Sequence, residues 1–457
     1  MVDLSTYVNK TVDFKFSGAE LRFDLSHALF SSFDIDQGTR LLLKTVARDP
    51  VLALSRRILD EGCGVGVIGL CMAKAFPQAE LVLRDRDSLA VAFAERNRLA
   101  NKLRGITAWK DPVTGEEREA RPAPRIEWGL LSDGREGGPY DFVLSNLPAK
   151  AGAPVLASFF DRLSGRRSVP DSSAPALLVP GGRAGIVIVN PLAEAAASWI
   201  AQAGLSVVAQ ARGTGHHVYI VERAEEGVVG AGVGGLDASS SSAEPASGDE
   251  GVPLWLRGYL RGDERFKLAD FSYRARGFWG LGEFDTPSYG SLVAAEAASR
   301  ALVDCSRALF LNPGVGHLAL WAAKKLGLKS LTVASRDRLS LEAAGANIAS
   351  LPERSRPEYV AIDALGATDL PSLSFDLIFE NPDVVPERDW VGPSWEQAER
   401  LVRPGGAYLA VCSPTEMARL EKRRPSGEAL SGGGKPRWAL ACQRRKKGFV
   451  ASVWIKG

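Results

Sequence analysis

The strongest constraint on this chain is that it repeats itself. LVLRDRDSLAVAFAERN (81–97) lies over LTVASRDRLSLEAAGAN (331–347) at a shift of 250 residues, which also sets Gly64-Val65-Gly66 on Gly314-Val315-Gly316. DFVLSNLP (141–148) lies over DLIFENPD (376–383), VPGG (179–182) over RPGG (403–406), and FDIDQGTRLL (33–42) over FDTPSYGSLV (284–293). Five blocks in one order mark a tandem duplication, so both halves must share one fold. Between them, residues 224–253 are rich in Gly, Ser, Ala and acid, and bury too little apolar surface to offset their ordering entropy. The expected organisation is a domain over 1–223, a flexible linker over 224–253 and a second domain over 254–457.

Within each copy, apolar runs (RRILD, ELVLRD, YDFVLSN, RAGIVIVN) alternate with helical stretches such as SLAVAFAERNRLANKL, whose Leu89, Phe93 and Leu99 are expected to share a face. This alternation predicts an α/β fold: two tandem Rossmann-like domains, each a doubly wound, mostly parallel sheet with ligands at the strands' carboxyl ends. HHVYIVER and FVASVWIKG, late in each copy, read as antiparallel edge strands, and residues 11–27 as a hairpin before the first sheet strand. A hydrophobic content of 45%, a charged content of 24% and a net charge of +2 fit a soluble globular protein and give no global argument for a polyanionic partner. The five cysteines form no CxxC pair and the four histidines are scattered, so neither a metal site nor a disulfide framework is expected. No apolar stretch suggests a signal peptide or membrane span, and a cytoplasmic location is expected.

The chemistry concentrates at one loop. Asp60 closes the run RRILD, and Gly62, Gly64 and Gly66 follow it. Glycines let a backbone turn sharply and approach a ligand, and the next helix presents free N–H groups. A loop opened by an acid suits a cationic sulfonium with a zwitterionic amino-acid end, which points to S-adenosylmethionine. Asp85 ends the next strand, 25 residues after Asp60, where a carboxylate accepts from ribose hydroxyls. Cys63 and Arg86 complete this candidate cofactor loop. Two other readings stay open: residues 64–69 also satisfy the G-x-G-x-x-G of a nicotinamide dinucleotide site, and a glycine-rich turn can hold no ligand. The acid-x-Gly ahead of the glycine pair and an Asn-x-Pro after the fourth strand favour the methyl donor.

Asn146, Leu147 and Pro148 follow the strand YDFVLS and form the candidate catalytic turn. Methyl transfer from a sulfonium is an in-line displacement in which the enzyme mainly positions the nucleophile. For an exocyclic amine, the Asn146 side-chain oxygen and the next backbone carbonyl can accept the two N–H bonds and aim the lone pair at the methyl. An Asn that merely caps a strand-to-loop turn is the plainer alternative. His216 and His217, with no acid or Cys at metal spacing, are read as structural.

These residues resemble the "methyltransferase small" family of class I S-adenosylmethionine-dependent enzymes, and in layout its tandem-domain members that methylate N2 of a guanine in ribosomal RNA. The resemblance covers most of both halves, apart from the linker and an insertion between Arg162 and Ala174. It implies that Asp36, Gly38 and Thr39 border the cofactor, Asp85 its ribose, Gly129 and Leu130 its adenine, and Asn146 the target amine. Those enzymes carry the intact copy second, whereas here it is first: the later copy has Phe310 for Asp60, Asn312 for Gly62 and Ser335 for Asp85. Leu147 replaces a family proline and Ala149 an aromatic, with Phe30, Phe33 and Phe159 as candidates for a stacking ring. The expected function is therefore N-methylation of an exocyclic base amine, guanine N2, in ribosomal or other structured RNA. The RNA would be met by Lys150, by Arg162, Arg166 and Arg167, and by the basic C-terminal segment (Lys422 to Arg424, Lys435, Arg437, Arg444 to Lys447) with Trp438 among it. An exposed hairpin loop is the plainer reading of that segment. The alternatives are methylation of a protein glutamine or small-molecule amine, a non-catalytic RNA-binding protein that retains the loop, and, more distantly, a dinucleotide oxidoreductase.

Overall fold

The computed structural model describes residues 3–30, 33–105, 109–110, 117–118, 122–131, 133–135, 137–166, 175–225, 252–302, 305–425 and 437–457. The greater part of the expected linker (226–251), Arg167 and Lys435 lie outside them. Two compact units emerge: Tyr7–Tyr259, and Leu260–Gly457 together with Met1–Thr6. Among the described residues no helix is long and apolar enough to cross a membrane.

In the first unit, β1 (Lys10–Phe16) and β2 (Ala19–Leu25) form the expected hairpin. Then come α1 (Gln37–Val46), α2 (Pro50–Leu54), β3 (Arg57–Glu61), α3 (Val67–Ala75), β4 (Glu80–Asp85) and α4 (Ser88–Ala100). A two-residue pair, β5 (Trp109–Lys110) and β6 (Glu117–Arg118), precedes β7 (Arg125–Trp128) and β8 (Tyr140–Asn146). The unit ends with α5 (Ala153–Ser164), β9 (Leu178–Val189), α6 (Ala193–Gln202), β10 (Ser206–Arg212) and β11 (His216–Glu222). Its seven-stranded sheet runs β10-β11-β9-β8-β3-β4-β7, parallel except at β11, which pairs antiparallel with both β9 and β10. Counted along the chain, that order is 3-2-1-4-5-7-6.

The second unit opens with the hairpin β12 (Leu260–Leu268) and β13 (Phe271–Phe278), followed by α7 (Tyr289–Ala301), β14 (Arg307–Leu311), α8 (His317–Lys325) and β15 (Ser330–Ser335). It continues through α9 (Arg338–Ala349), β16 (Glu358–Asp363), β17 (Phe375–Glu380), α10 (Val391–Leu401), β18 (Val402–Cys412), α11 (Pro414–Lys422), β19 (Trp438–Lys446) and β20 (Phe449–Lys456). The sheet order β16-β15-β14-β17-β18-β20-β19 is again 3-2-1-4-5-7-6.

The duplication extends to single hydrogen bonds. Asn97, fully buried on α4, donates to the Val65 and Asp24 carbonyls (2.9 and 3.1 Å) and accepts from the Asp24 N–H (2.8 Å). Asn347 on α9 donates to the Val315 and Arg276 carbonyls (2.8 and 3.0 Å) and accepts from the Arg276 N–H (2.7 Å). Each amide thus ties the glycine turn to the second strand of the preceding hairpin. Asp141 accepts from the N–H groups of Arg56 and Arg57, and Asp376 from those of Ser306 and Arg307, so each carboxylate fixes the start of a neighbouring strand. Gly66 and Gly316 both stand at positive φ (88° and 91°), and a Cβ there would meet Ala94 or Ala344 at 3.1 Å. Only glycine allows this turn and this helix approach together.

Two expectations fail. Leu99 is exposed while Leu89 and Phe93 are buried. Six residues beyond Phe93 is one and two-thirds helical turns, which carries Leu99 to the outer face. Trp438 belongs to no RNA surface: its ring packs with Trp395, Tyr408 and Trp454 in the core of the second unit, and its indole N–H donates to Glu399.

Truncating either duplicated amide leaves buried carbonyls and an N–H without partners. Asn97→Ala and Asn347→Ala should each cost their own unit roughly 2–4 kcal/mol. Scanning calorimetry would then show one lowered transition per variant, and unchanged transitions would refute the role.

Candidate functional site

The site of the first unit lies where β3, β4, β7 and β8 end. Asp60 is completely buried, on a strand whose residues 58–61 are all buried. Its Oδ2 accepts from the Gly69 N–H (2.7 Å) in α3, while no donor among the described residues reaches the buried Oδ1. Desolvation, offset in part by the Gly69 bond and reinforced by the nearby Asp85 charge, pushes its pKa up to about 7. Beyond it Gly62 and Gly64 take positive φ (76° and 55°), and a Cβ on either would meet nothing within 4 Å. The backbone there borders open space.

Asp85 ends β4. Its Oδ2 accepts from the Gly64 N–H and its Oδ1 from the Asp87 N–H, both at 2.9 Å. Burial raises its pKa to about 6 against the pull of those two bonds. Cys63 is buried beside three carboxylates, and desolvation first, then their charge, holds its thiol well above its usual range, so it offers no nucleophile. Arg86 is half-buried, and its carbonyl accepts from the Trp128 indole (2.7 Å).

Gly129 and Leu130 follow β7, anchored by bonds from the Gly129 N–H to the Asp85 carbonyl (3.0 Å) and from the Leu130 N–H to Asp133 (3.1 Å). Behind them lies a buried ionic cluster. The Arg84 guanidinium meets both Asp133 oxygens (3.0 and 3.2 Å), Glu61 (3.4 Å) and Glu127 (3.6 Å). Arg84, Glu61 and Asp133 are not among the residues expected from the sequence. For Glu61 and Arg84 the available signal was a charge next to the apolar stretch of each of two strands, which burial tolerates only when paired; Asp133 lies in the turn after β7 and carried no such signal.

Asn146 ends β8. Its Nδ2 donates to Asp36 Oδ2 (3.0 Å) and to Thr39 Oγ1 (3.2 Å), and Asp36 also caps α1 by accepting from the Thr39 N–H (3.1 Å). His216 Nε2 stands 4.0 Å from the other Asp36 oxygen, so a histidine read as structural borders the site. Gly38 makes room for both: a Cβ there would lie 2.8 Å from Asp36 Oδ2 and 2.8 Å from the His216 ring. Leu147 has its side chain in the core and its N–H on the Val187 carbonyl (3.0 Å), so only its backbone is placed for chemistry. Pro148, Ala149 and Lys150 are exposed. Phe159 is fully buried and provides no stacking face, whereas Phe30 (74%) and Phe33 (68%) are exposed ahead of α1.

A 3-2-1-4-5-7-6 sheet with a glycine turn after its first strand and a carboxylate ending its second defines the class I methyltransferase fold. Residues 20–219, a little under half of the chain, match the family model of the methyltransferase small domain. Among similar proteins is the ribosomal RNA small subunit methyltransferase C of Mannheimia succiniciproducens, 32% identical over 159 residues, 35% of this chain and 38% of that protein. The enzyme of the same name from Vibrio cholerae is 30% identical over 148 residues, 32% of this chain and 36% of that protein. The matched stretches thus span well under half the length of these relatives. The T. thermophilus 16S rRNA N2 G1207 methyltransferase (RsmC), solved in complex with AdoMet and guanosine, shares the fold over 98% of both chains (TM-score 0.59, 17% identity).

Gly129 tests how tightly the ionic cluster shapes this rim, since a Cβ there would fall 2.0 Å from Arg84 Nη2. Gly129→Ala should cost about 1–3 kcal/mol through that overlap. A melting temperature equal to wild type would show the cluster to be loose.

Proposed function

We propose that the first unit binds S-adenosylmethionine and transfers its methyl group to an exocyclic amine of an RNA base, with guanine N2 in ribosomal RNA as the favoured acceptor. The residues present fit that cofactor. The orphaned Asp60 Oδ1 lies beneath a turn whose glycines face open space, and each Asp85 oxygen, holding one backbone N–H, keeps capacity for a ribose hydroxyl. Asp36, Gly38 and Thr39 border the methionine end, and Gly129 and Leu130 the adenine. When bound, the cofactor supplies an electrophilic methyl on a good leaving group.

One observation carries the choice of acceptor. A carboxylate only accepts hydrogen bonds, so Asp36 obliges the Asn146 amide to turn its NH₂ inward. Its Oδ1 is then left as an acceptor with no donor from the described residues. That oxygen accepts an N–H of the amine, and the Leu147 carbonyl accepts the second. The amine is held with its lone pair free, and positioning of this kind is what such a displacement requires. An RNA acceptor is supported by the names of the relatives and by exposed cations that form no ion pair among the described residues: Lys150, Arg445, Lys446 and Lys447. Arg423 and Arg437 of the same basic segment are engaged by Asp389 and Glu399 (2.6 Å each).

Two measurements test this. Labelled methyl transfer into separated RNA, protein and metabolite fractions should place the label in RNA. Asn146→Ala should lower kcat about 100-fold while the dissociation constant for S-adenosylmethionine stays put. Label in a protein glutamine or a metabolite, or an unimpaired variant, would overturn the assignment.

Cofactor affinity should also depend on pH. Asp60 and Asp85 ionise near 7 and 6 in the free protein, and a cation plus hydroxyl donors lower both values on binding. Binding therefore releases protons and tightens as pH rises. Calorimetry at pH 5.5 should give an affinity roughly 10- to 100-fold below that at pH 8. An affinity constant across that range would mean that neither carboxylate meets the ligand.

A further inference from the structure

In the second unit the place of the cofactor cleft is taken by a cavity of about 330 Å³, rebuilt with different chemistry. Phe310, in the position of Asp60, packs on Phe379 (ring centroids 5.2 Å apart), and Ser335, in that of Asp85, accepts from the Asp337 N–H. The acids that suit a sulfonium and a ribose are gone. Asn312 keeps the left-handed backbone of Gly62 (φ 57°) and puts an amide where the first copy is open. Its Nδ2 donates to the Asn381 carbonyl (3.0 Å), leaving its Oδ1 as an acceptor. Asn381 is the counterpart of Asn146, and no hydrogen bond from the described residues engages its side-chain amide.

The charge of the lining selects its ligand. Glu283 is the charged residue of the wall. Its Oε1 accepts from the Ser288 N–H and the Ser291 hydroxyl (2.6 Å each), while its Oε2 faces the Gly314 turn. The His317 ring, bonded on one side to the Tyr273 hydroxyl (2.9 Å) and on the other to the Glu283 carbonyl (2.8 Å), fixes this strap. A carboxylate with no cation in the same wall rejects phosphate and favours N–H donors. Phe449, 36% exposed, lines the cavity with its ring against Gly290. Its register partner on β19 is Lys446, followed by Lys447 in the turn, and both are exposed. Directly opposed residues of a strand pair share a face, so an aromatic and a cation stand together beside the cavity.

We infer that this cavity takes a neutral, amino-bearing base of single-stranded RNA, stacked on Phe449 and read by Asn381, Asn312 and Glu283, with the adjoining phosphates met by Lys446 and Lys447. Amides match the adjacent donor and acceptor of a base edge, and a ring at the mouth provides the stacking platform such sites use. The inference rests on the reading of RNA as the substrate. It converts the worn copy from a relic into a second base pocket.

The test is anisotropy titration of the full chain with fluorescein-labelled 12-nucleotide oligo(A) and oligo(U), uracil having no exocyclic amine. Wild type should prefer oligo(A) by about 10-fold or more, and Asn381→Ala should erase that preference. Phe449→Ala should weaken both RNAs about 10-fold with an unchanged salt dependence. Lys446→Gln with Lys447→Gln should weaken both equally and flatten the salt dependence by roughly one to two. Each variant should still bind S-adenosylmethionine as wild type does, which certifies its fold. Binding of both RNAs by Asn381→Ala and Phe449→Ala as by wild type, or no wild-type preference for oligo(A), would overturn the inference. Label found outside RNA, with the pocket variants impaired as described, would instead remove the methyl-acceptor assignment and leave the pocket standing.

Discussion

The site depends on a carboxylate held out of water. Asp60 sits near the end of a buried strand with one backbone donor on one oxygen and none from the described residues on the other, and burial raises its pKa. In an unfolded chain the same group ionises near pH 4, so its contribution to the stability of the free protein falls as pH rises from about 4 to 7. A strained charge is retained at a place where a ligand cation would relieve it. In the second copy the strain is gone: Phe310 packs on Phe379, and the strand end is apolar.

The second constraint is the one-way chemistry of Asp36. It accepts from the Thr39 N–H and from Asn146 Nδ2, so one residue both starts α1 and orients the amide at the end of β8. Gly38 and His216 follow from it, since the helix start must leave room for the carboxylate and the imidazole together. The buried Arg84 cluster does the corresponding work on the other side, tying β3, β4 and the turn after β7 into one rim.

The duplication, the parallel sheets, the antiparallel edges and the glycine turn were all legible in the sequence, because each follows from local periodicity or from a backbone angle only glycine adopts. Asp60 and Asp85 were legible as acids at strand ends. His216 was not, because its neighbour Asp36 is 180 residues away and only the sheet order brings them together. Trp438 misled in the opposite direction. Lying among arginines and lysines it suggested an RNA surface, but its ring is the buried start of a strand whose other residues, the cations included, are exposed or half-buried. Phe159 failed likewise, on the buried face of α5. The cavity of the second copy was hidden because substitutions that remove one ligand's contacts do not announce another's.

The two copies share a fold, and the first alone is proposed to hold the methyl donor. Equilibrium dialysis of the full chain against labelled S-adenosylmethionine at pH 8 measures this directly. The account predicts one site per chain, lost in Asp85→Ala and untouched in Ser335→Ala. Two sites per chain, none, or a single site that survives Asp85→Ala would contradict it.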